Sequence, residues 1–337
     1  MKYASLDLIT AQYERYQLAF LPTPLQFAPR LSTALGGPRI FIKRDDMTGL
    51  ALGGNKTRKL EFLLADAQKH GADVIITAGT PQSNHCRQTA AAARQMGLDC
   101  VLVFTPGQHD EMQGNVLLDK LFKASIIRTQ NSDSMAVMQA TASELRQAGR
   151  VPYIIPVGGS NAVGTLGYAV AMHELGLQLD AVNVTACHLY FSSGSGGTHS
   201  GLLLGQRLFG PAGMRLVGVS PGGKAEMVCP KIVQIANQAI QQLGLNEDFR
   251  LDEVLVYDQF VGRSYGISTP QSLEAISLFA ETEGVLLDPV YTAKAAAGLI
   301  HDIRIGQITA DDTVVFLHTG GSPALFAYHD EWTKQEI

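Results

Sequence analysis

Nothing in the sequence pairs its cysteines. The four present, Cys86, Cys100, Cys187 and Cys229, form no CxxC pair and no Cys/His zinc spacing. They read as reduced, mostly buried thiols in a reducing compartment, and no metal site is expected. Cys86 is the one that adjoins a polar loop, so it is the one worth a reactivity test. No apolar run reaches the ~18 residues of a membrane span. Residues 1–7 lack the charged-then-apolar pattern of a secretory signal, so the expected location is cytoplasmic. No excess of positive charge exists either: the net charge is −5. That excludes a general affinity for nucleic acid or an anionic membrane, and any basic patch must be local, sized for a small anionic ligand. Low-complexity linkers and internal repeats are absent. What remains is 337 residues, 46% hydrophobic and 17% charged, an ordinary globular composition with enough chain for one large domain or two medium ones.

The most informative stretch is Gly53-Gly54-Asn55-Lys56-Thr57-Arg58-Lys59-Leu60-Glu61. Leu60, Leu63, Leu64 and Ala67 follow the i, i+3, i+4, i+7 spacing of one apolar helix stripe. Lys56 therefore stands at a helix start, where the helix field disfavours a cation and lowers its pKa. A lysine that forms a Schiff base needs such a shift. The alternative is a solvated lysine in a basic run. Arg58 and Lys59 are read as charges on the helix surface.

Residues 1–38 read as an irregular arm with a short helix, held extended at Leu21-Pro22-Thr23-Pro24-Leu25 by two prolines. Beyond it, strands are predicted over 39–44, 73–78, 100–104, 125–127, 152–157, 186–191, 216–219 and 313–317. Helices are predicted over 86–96, 115–122, 132–148, from after 161 through 175, 198–209, 224–243, 270–283, 292–305 and from 324. Alternating strands and helices imply parallel sheets covered on both faces. About a dozen helices are too many for one compact open sheet. The expected fold is α/β, with two open, mostly parallel lobes, a cleft between them, and polar loops at strand carboxyl ends.

Several of those loops can carry chemistry. Ser192-Ser193-Gly194-Ser195-Gly196-Gly197-Thr198 lies between a strand and a helix, where backbone N–H groups can approach a phosphate. A tight turn would need fewer small residues. The run is not GxGxxG, because His199 takes the third glycine's place. Residues 218–224 have Walker A spacing, but Ala225 replaces the magnesium-holding hydroxyl and Pro221 removes a donor, so the match is read as chance. Gln82, Ser83, Asn84 and His85 place four polar side chains at a strand–helix junction. They could hold a carboxylate or a cofactor hydroxyl, and capping by Ser83 or Asn84 accounts for only one of them. Tyr265 and Tyr291 sit in turn-like sequence, where a packing role is the plainer reading for each. His318-Thr319-Gly320-Gly321 could be a second anion nest or could present Thr319 to a ligand.

Taken in order, the lysine motif, Gln-Ser-Asn-His-Cys-Arg-Gln, the Ser/Gly loop, Asp-Pro-Val-Tyr-Thr and His-Thr-Gly-Gly-Ser-Pro resemble the fold type II pyridoxal-phosphate enzymes, the tryptophan synthase β-like group. Within them the chain is similar to the family of 1-aminocyclopropane-1-carboxylate deaminase, D-cysteine desulfhydrase and L-cysteate sulfo-lyase, over nearly its whole length. The resemblance implies pyridoxal 5'-phosphate bound through Lys56, with Asn84 at the ring 3'-hydroxyl and the phosphate held by Ser193, Gly194, Ser195, Gly196, Gly197 and Thr198. It implies a substrate carboxylate near Gln82, Ser83, Asn84 and His85, and active-site roles for Tyr265 and Tyr291, with Ser83 among the catalytic residues. It also implies a small lobe at 56–167, a large lobe from 1–55 and 168–337, and a homodimer acting on a small amino acid.

In the deaminase a glutamate follows the tyrosine of Asp-Pro-Val-Tyr, and a leucine precedes the late Gly-Gly. Thr292 and Thr319 stand at those positions here. A carboxylate near the ring nitrogen would strengthen the electron sink that ring opening needs. A neutral hydroxyl, Thr319, suits expulsion of sulfur from Cβ, with Thr292 read as a substrate contact. The expected activity is therefore D-cysteine desulfhydrase, giving pyruvate, ammonia and sulfide. L-Cysteate sulfo-lyase comes next, then the deaminase. Thr80-Pro81 before Gln82 departs from the desulfhydrase pattern. Substrate handedness is a matter of which ring face meets Lys56 and where the carboxylate sits. Two readings from other classes stand beside these: a nucleotide-dependent enzyme using the glycine-rich loops, and a catalytically silent binding protein.

Overall fold

Runs of branched apolar residues set the strands, and burial on both sides sets their company. Val74–Gly79 is buried at every position, which only a strand covered on both faces can be. Among the described residues it is the third of ten strands: β1 Leu25–Phe27, β2 Arg39–Lys43, β3 Val74–Gly79, β4 Asp99–Phe104, β5 Ser125–Arg128, β6 Pro152–Ile154, β7 His188–Ser192, β8 Arg215–Val219, β9 Val256–Tyr257 and β10 Thr313–Leu317. The structure, a computed structural model, describes residues 6–130, 133–185, 187–211 and 213–333. The predicted start points at 132 and 186 lie outside these.

Two sheets form. The smaller has the order β5-β4-β3-β6 and is wholly parallel. The larger has the order β1-β2-β10-β7-β8-β9, parallel except for β1, which runs antiparallel to β2. Strand periodicity sends neighbours to opposite faces. Leu189 and Phe191 of β7 enter one apolar core and Tyr190 enters the other. In the small sheet Ile75 and Leu102 face one core while Val74, Ile76, Val101 and Val103 face its opposite. The two-sheet α/β architecture is the one expected.

The differences have local causes. The strand predicted over 152–157 stops at Ile154, and residues 157–159 form a tight turn with Gly158 and Gly159 at φ 72° and 61°, a conformation only glycine adopts freely. The helix predicted to end at 175 runs Ala162–Ala181, because Leu175 and Leu179 keep its apolar face buried. The arm carries a strand, β1, and two helices, Asp7–Thr10 and Pro29–Ala34, rather than one short helix.

The helix Lys56–Lys69 lies between the two sheets. Its Phe62 enters the large core and its Leu60, Leu63 and Leu64 the small one. It crosses Ala162–Ala181 so closely that a Cβ at Gly167 would sit 2.2 Å from the Arg58 carbonyl oxygen. This position overturns the reading of Arg58 and Lys59 as surface charges: their side chains are 1% and 0% exposed. Arg58 pairs with Asp45 and Glu174 at 2.8 and 2.9 Å, and Lys59 Nζ donates to the Gly158 carbonyl at 3.0 Å. Lys43 and Tyr168 complete the Arg58 cluster through Glu174 and Asp45.

Candidate active site

Strands β3, β4, β6, β7, β8 and β10 lead into loops that share one cavity of about 640 Å³. The first three belong to the small sheet and the others to the large one. The cavity therefore opens where a doubly wound fold binds its ligands, at strand carboxyl ends.

Lys56 reaches this cavity from the first position of its helix. Gly53 and Gly54 deliver it, at φ 68° and 131°. A Cβ on Gly53 would lie 1.9 Å from the Asp46 carbonyl oxygen, so only glycine fits there. The Asn55 N–H donates to the Thr319 carbonyl at 3.0 Å, and Asn55 Nδ2 donates to Thr198 Oγ1 at 3.0 Å. The lysine is thereby pinned to two other loops of the site. Burial lowers its pKa to about 8, against the opposing field of Asp288. Its surface opens on the cavity while protein shields it from bulk water.

The second wall is the start of the helix Asn84–Gln95. Ser83 is its N-cap, accepting from the Cys86 N–H at 3.2 Å, and its hydroxyl also bonds the Cys86 thiol, a weak partner for its proton. Asn84 Oδ1 accepts from Arg87 and Asn115 at 3.2 and 3.0 Å. Its amide is thereby oriented, with Nδ2 as the donor left over. His85 lines the cavity too, but both of its ring nitrogens have hydroxyl partners, Thr77 at 2.8 Å and Thr89 at 3.5 Å. Since Thr77 donates its proton to the Ile155 carbonyl, His85 Nε2 carries the proton in that bond. Burial keeps the ring neutral, with its pKa well below the usual value.

The Ser/Gly loop follows β7. Ser192, Ser193, Gly194, Ser195, Gly196 and Thr198 line the cavity, and Gly196 is at φ 93°. The helix Gly197–Phe209 that follows has no side-chain cap, so its first turn presents N–H groups to an anion. Ser192 Oγ is buried without a partner among the described residues. The Gly197 N–H instead donates to Ser160 Oγ at 3.2 Å, and Ser160 Oγ also meets Ser195 Oγ at 2.7 Å. A Cβ on Gly197 would lie 2.9 Å from Lys59 Nζ, which puts a second amine directly beneath this loop. Burial holds Lys59 well below the ordinary lysine pKa, and the neighbouring Lys56 adds to the effect.

The third wall holds Tyr265 and Tyr291, whose hydroxyls hydrogen-bond to each other. Their rings meet edge to face with centroids 5.9 Å apart. Burial raises both phenol pKa values, so both stay protonated at neutral pH. Thr80 bonds Tyr265 as well. Thr319 lines the cavity beside Lys56.

Two expected substrate contacts lie elsewhere. Gln82 does not line the cavity: its amide binds the carbonyls of His109 and Gln113 and the N–H of Asn115. Thr292 is wholly buried, and its hydroxyl donates to Asp288 Oδ1 at 2.7 Å. Cys86 is buried and its thiol pKa is pushed well up, so it is not a reactive centre. The Walker-like loop is no nucleotide loop. Ser220 Oγ takes its N–H groups at Gly222 and Gly223, and Lys224 points outward, 73% exposed. Sequence reasoning missed Lys59, Ser160 and Thr80. For Lys59 a signal existed, since i+3 from Lys56 lies on the same helix side.

These residues fit a phosphorylated ring aldehyde: an amine of low basicity, an uncapped glycine-rich helix start, and a buried hydroxyl without a partner. Residues 16–320 match the family described as pyridoxal-phosphate dependent enzyme. The chain belongs to that family. As a pyridoxal-phosphate dependent enzyme it takes pyridoxal phosphate as cofactor. A crystal structure of an ACC deaminase homologue is 37% identical, with a TM-score of 0.89, covering 97% of this chain and 98% of that one. The fold extends to a fungal L-serine ammonia-lyase from Rhizomucor miehei, 20% identical, TM-score 0.65, covering 95% and 99% of the two chains. It extends also to Escherichia coli diaminopropionate ammonia lyase in apo form, 17% identical, TM-score 0.65, covering 94% and 87%. Among the described residues no helix is long and apolar enough to cross a membrane.

Proposed function

We propose that the chain is a β-eliminating lyase for a small sulfur amino acid, with D-cysteine as first candidate and pyruvate, ammonia and sulfide as products. The observation that carries this reading is the cavity's mixture of side chains. Lys56 and the protonated Tyr265–Tyr291 pair line it, and no aspartate or glutamate does so among the described residues. Bound pyridoxal phosphate supplies an electron-withdrawing ring that spreads negative charge from Cα. Lys56 would anchor it, Gly194, Ser195, Gly196 and Thr198 would hold its phosphate with Lys59 beneath that loop, and Asn84 Nδ2 would donate to its ring hydroxyl. Thr319 offers the ring nitrogen a hydroxyl in place of a carboxylate. The Ser83 hydroxyl and the open N–H groups of Asn84 and His85 take the substrate carboxylate at a helix start.

The chemistry asks two things of the chain. Lys56 Nζ removes the Cα proton, for which its low pKa leaves a usable free-amine fraction near neutrality. The Cβ–S bond then breaks with both electrons passing to sulfur, and the Tyr265–Tyr291 pair gives sulfur a proton. The released enamine hydrolyses to pyruvate and ammonia. Gln82 and Thr292 act at one remove, holding residues 109–115 and Asp288. The lobes proposed are 56–167 and the remainder, in a homodimer.

A second reading has L-cysteate as substrate and sulfite as leaving group. It is favoured by Lys231, a second cation on the cavity lining that suits a doubly anionic substrate. The likeness to an ACC deaminase homologue keeps ring opening as a third. Pyruvate release from D-cysteine, L-cysteate, D-serine and 1-aminocyclopropane-1-carboxylate separates them. Lys56→Ala is expected to abolish the reaction and the visible absorbance of bound cofactor, and retained activity in that variant would sink the mechanism. A cofactor-loaded protein that releases pyruvate from no amino acid would favour the silent binding protein.

A further inference from the structure

Lys294 is fully buried on the helix Thr292–Arg304, three residues after Tyr291. Its ammonium donates to the carbonyl oxygens of Val261 at 2.8 Å, Pro221 at 3.0 Å and, at longer range, Ser264 at 3.4 Å. Three donors meet three backbone acceptors and no side chain is involved. An apolar residue here would take away the ammonium that the Pro221 and Val261 carbonyls accept from, while the Ser264 carbonyl would keep the Ile267 N–H at 3.4 Å.

The three carbonyls belong to segments that converge on the phenol pair. Ser264 immediately precedes Tyr265. Gly222, next to Pro221, lies against Tyr265: a Cβ there would fall 2.6 Å from the tyrosine's Cβ. Pro221 packs on the phosphate-side loop, where a Cβ at Gly194 would meet Pro221 Cγ at 3.3 Å and Tyr291 Cε1 at 3.9 Å. The helix that carries Lys294 begins beside Tyr291. One ammonium thus ties together the loop behind Tyr265, the loop beside it and the helix that follows Tyr291.

We infer that Lys294 is a positioning residue: by clamping the 221 and 261–264 loops it sets the Tyr265–Tyr291 hydroxyls where they can protonate the leaving group. This rests on the β-elimination reading for its chemistry, though not for its geometry. It predicts a selective defect. A thiol leaving group needs the proton, whereas chloride leaves without one.

The test compares D-cysteine with β-chloro-D-alanine in the cofactor-loaded enzyme and its Lys294→Met variant. The kcat for D-cysteine should fall roughly 10–100-fold, while that for β-chloro-D-alanine stays within about threefold and the bound cofactor's spectrum is unchanged. Equal losses on both substrates, or no loss on D-cysteine, would overturn the inference. Hydrogen exchange supplies a readout independent of activity. Amides of residues 259–267 should exchange faster in Lys294→Met while β3 is unaffected, and unchanged exchange in that loop would equally overturn it. If wild-type protein eliminates neither substrate, the proposed reaction fails and loop exchange alone decides the positioning role. Should Lys294→Met fail to fold, Lys294→Gln keeps a donor to the same carbonyls and is expected to show the same selectivity, more weakly.

Discussion

Lys56 owes its low basicity first to burial, and Asp288 only partly opposes it. Its pKa is about 8 in the folded protein against ~10.4 in an unfolded chain. Between those values the unfolded state binds more protons, so the cofactor-free protein gains stability as pH rises through that window. Below pH 8 the buried ammonium is a burden of up to about 3 kcal/mol. Cofactor-free Lys56→Met should therefore be more stable than the parent in urea at pH 7, with the gap shrinking by pH 10. A constant gap would contradict the assignment. Thr292 is the other residue with a sharp expectation. Thr292→Val keeps shape but removes the hydroxyl that bonds buried Asp288, and should cost about 1–3 kcal/mol of stability. The motif around Lys56 was legible because glycines, asparagine and a lysine at a helix start are local signals. The fate of Arg58 and Lys59 was not, since Arg58's partners lie 13 and 116 residues away and helix periodicity alone does not say that a second sheet covers the polar side.

At the scale of elements, the helix Gly114–Leu121 carries an anomaly. Asp119 is fully buried, and neither carboxylate oxygen has a hydrogen-bond partner among the described residues. Burial raises its pKa to about 8, with Arg87 pulling the other way. The folded state then holds a proton that the unfolded chain loses near pH ~3.9. Stability should fall as pH rises from about 4 to about 8. Asp119→Asn removes that dependence and should stabilise the protein more at pH 7 than at pH 5, the difference being no more than about 2.7 kcal/mol. Parallel urea curves for parent and variant at both pH values would refute it. The long elements were readable because short apolar stretches in β3, β4 and β7 bury both faces. β1 and β9, of three and two residues, were not, because their extension comes from pairing with β2 and β8 and hardly from their own composition.

Over the whole molecule, two sheets supply one site, and Ser160 is a joint between them. It follows the turn after β6 and bonds Ser195 and the Gly197 N–H of the large sheet's loop. Ser160→Ala should weaken pyridoxal-phosphate binding roughly 3–10-fold in a fluorescence or absorbance titration, with little loss of stability. Alternation of strand and helix foretold two lobes and a cleft; which loops face each other across it depends on the order β1-β2-β10-β7-β8-β9, which no local pattern encodes. That order also bears on how the protein is made. β10 pairs with β2 on one side and β7 on the other, yet it begins only at Thr313 of a 337-residue chain. Until the ribosome has released that segment, β2 and β7 each expose an unpaired apolar edge, the kind that invites aggregation. The nascent polypeptide must hold those edges apart, or have a chaperone do so, while the residues between β7 and β10 are made. Among the described residues, the strand that joins β2 to the rest of the large sheet is the last to emerge.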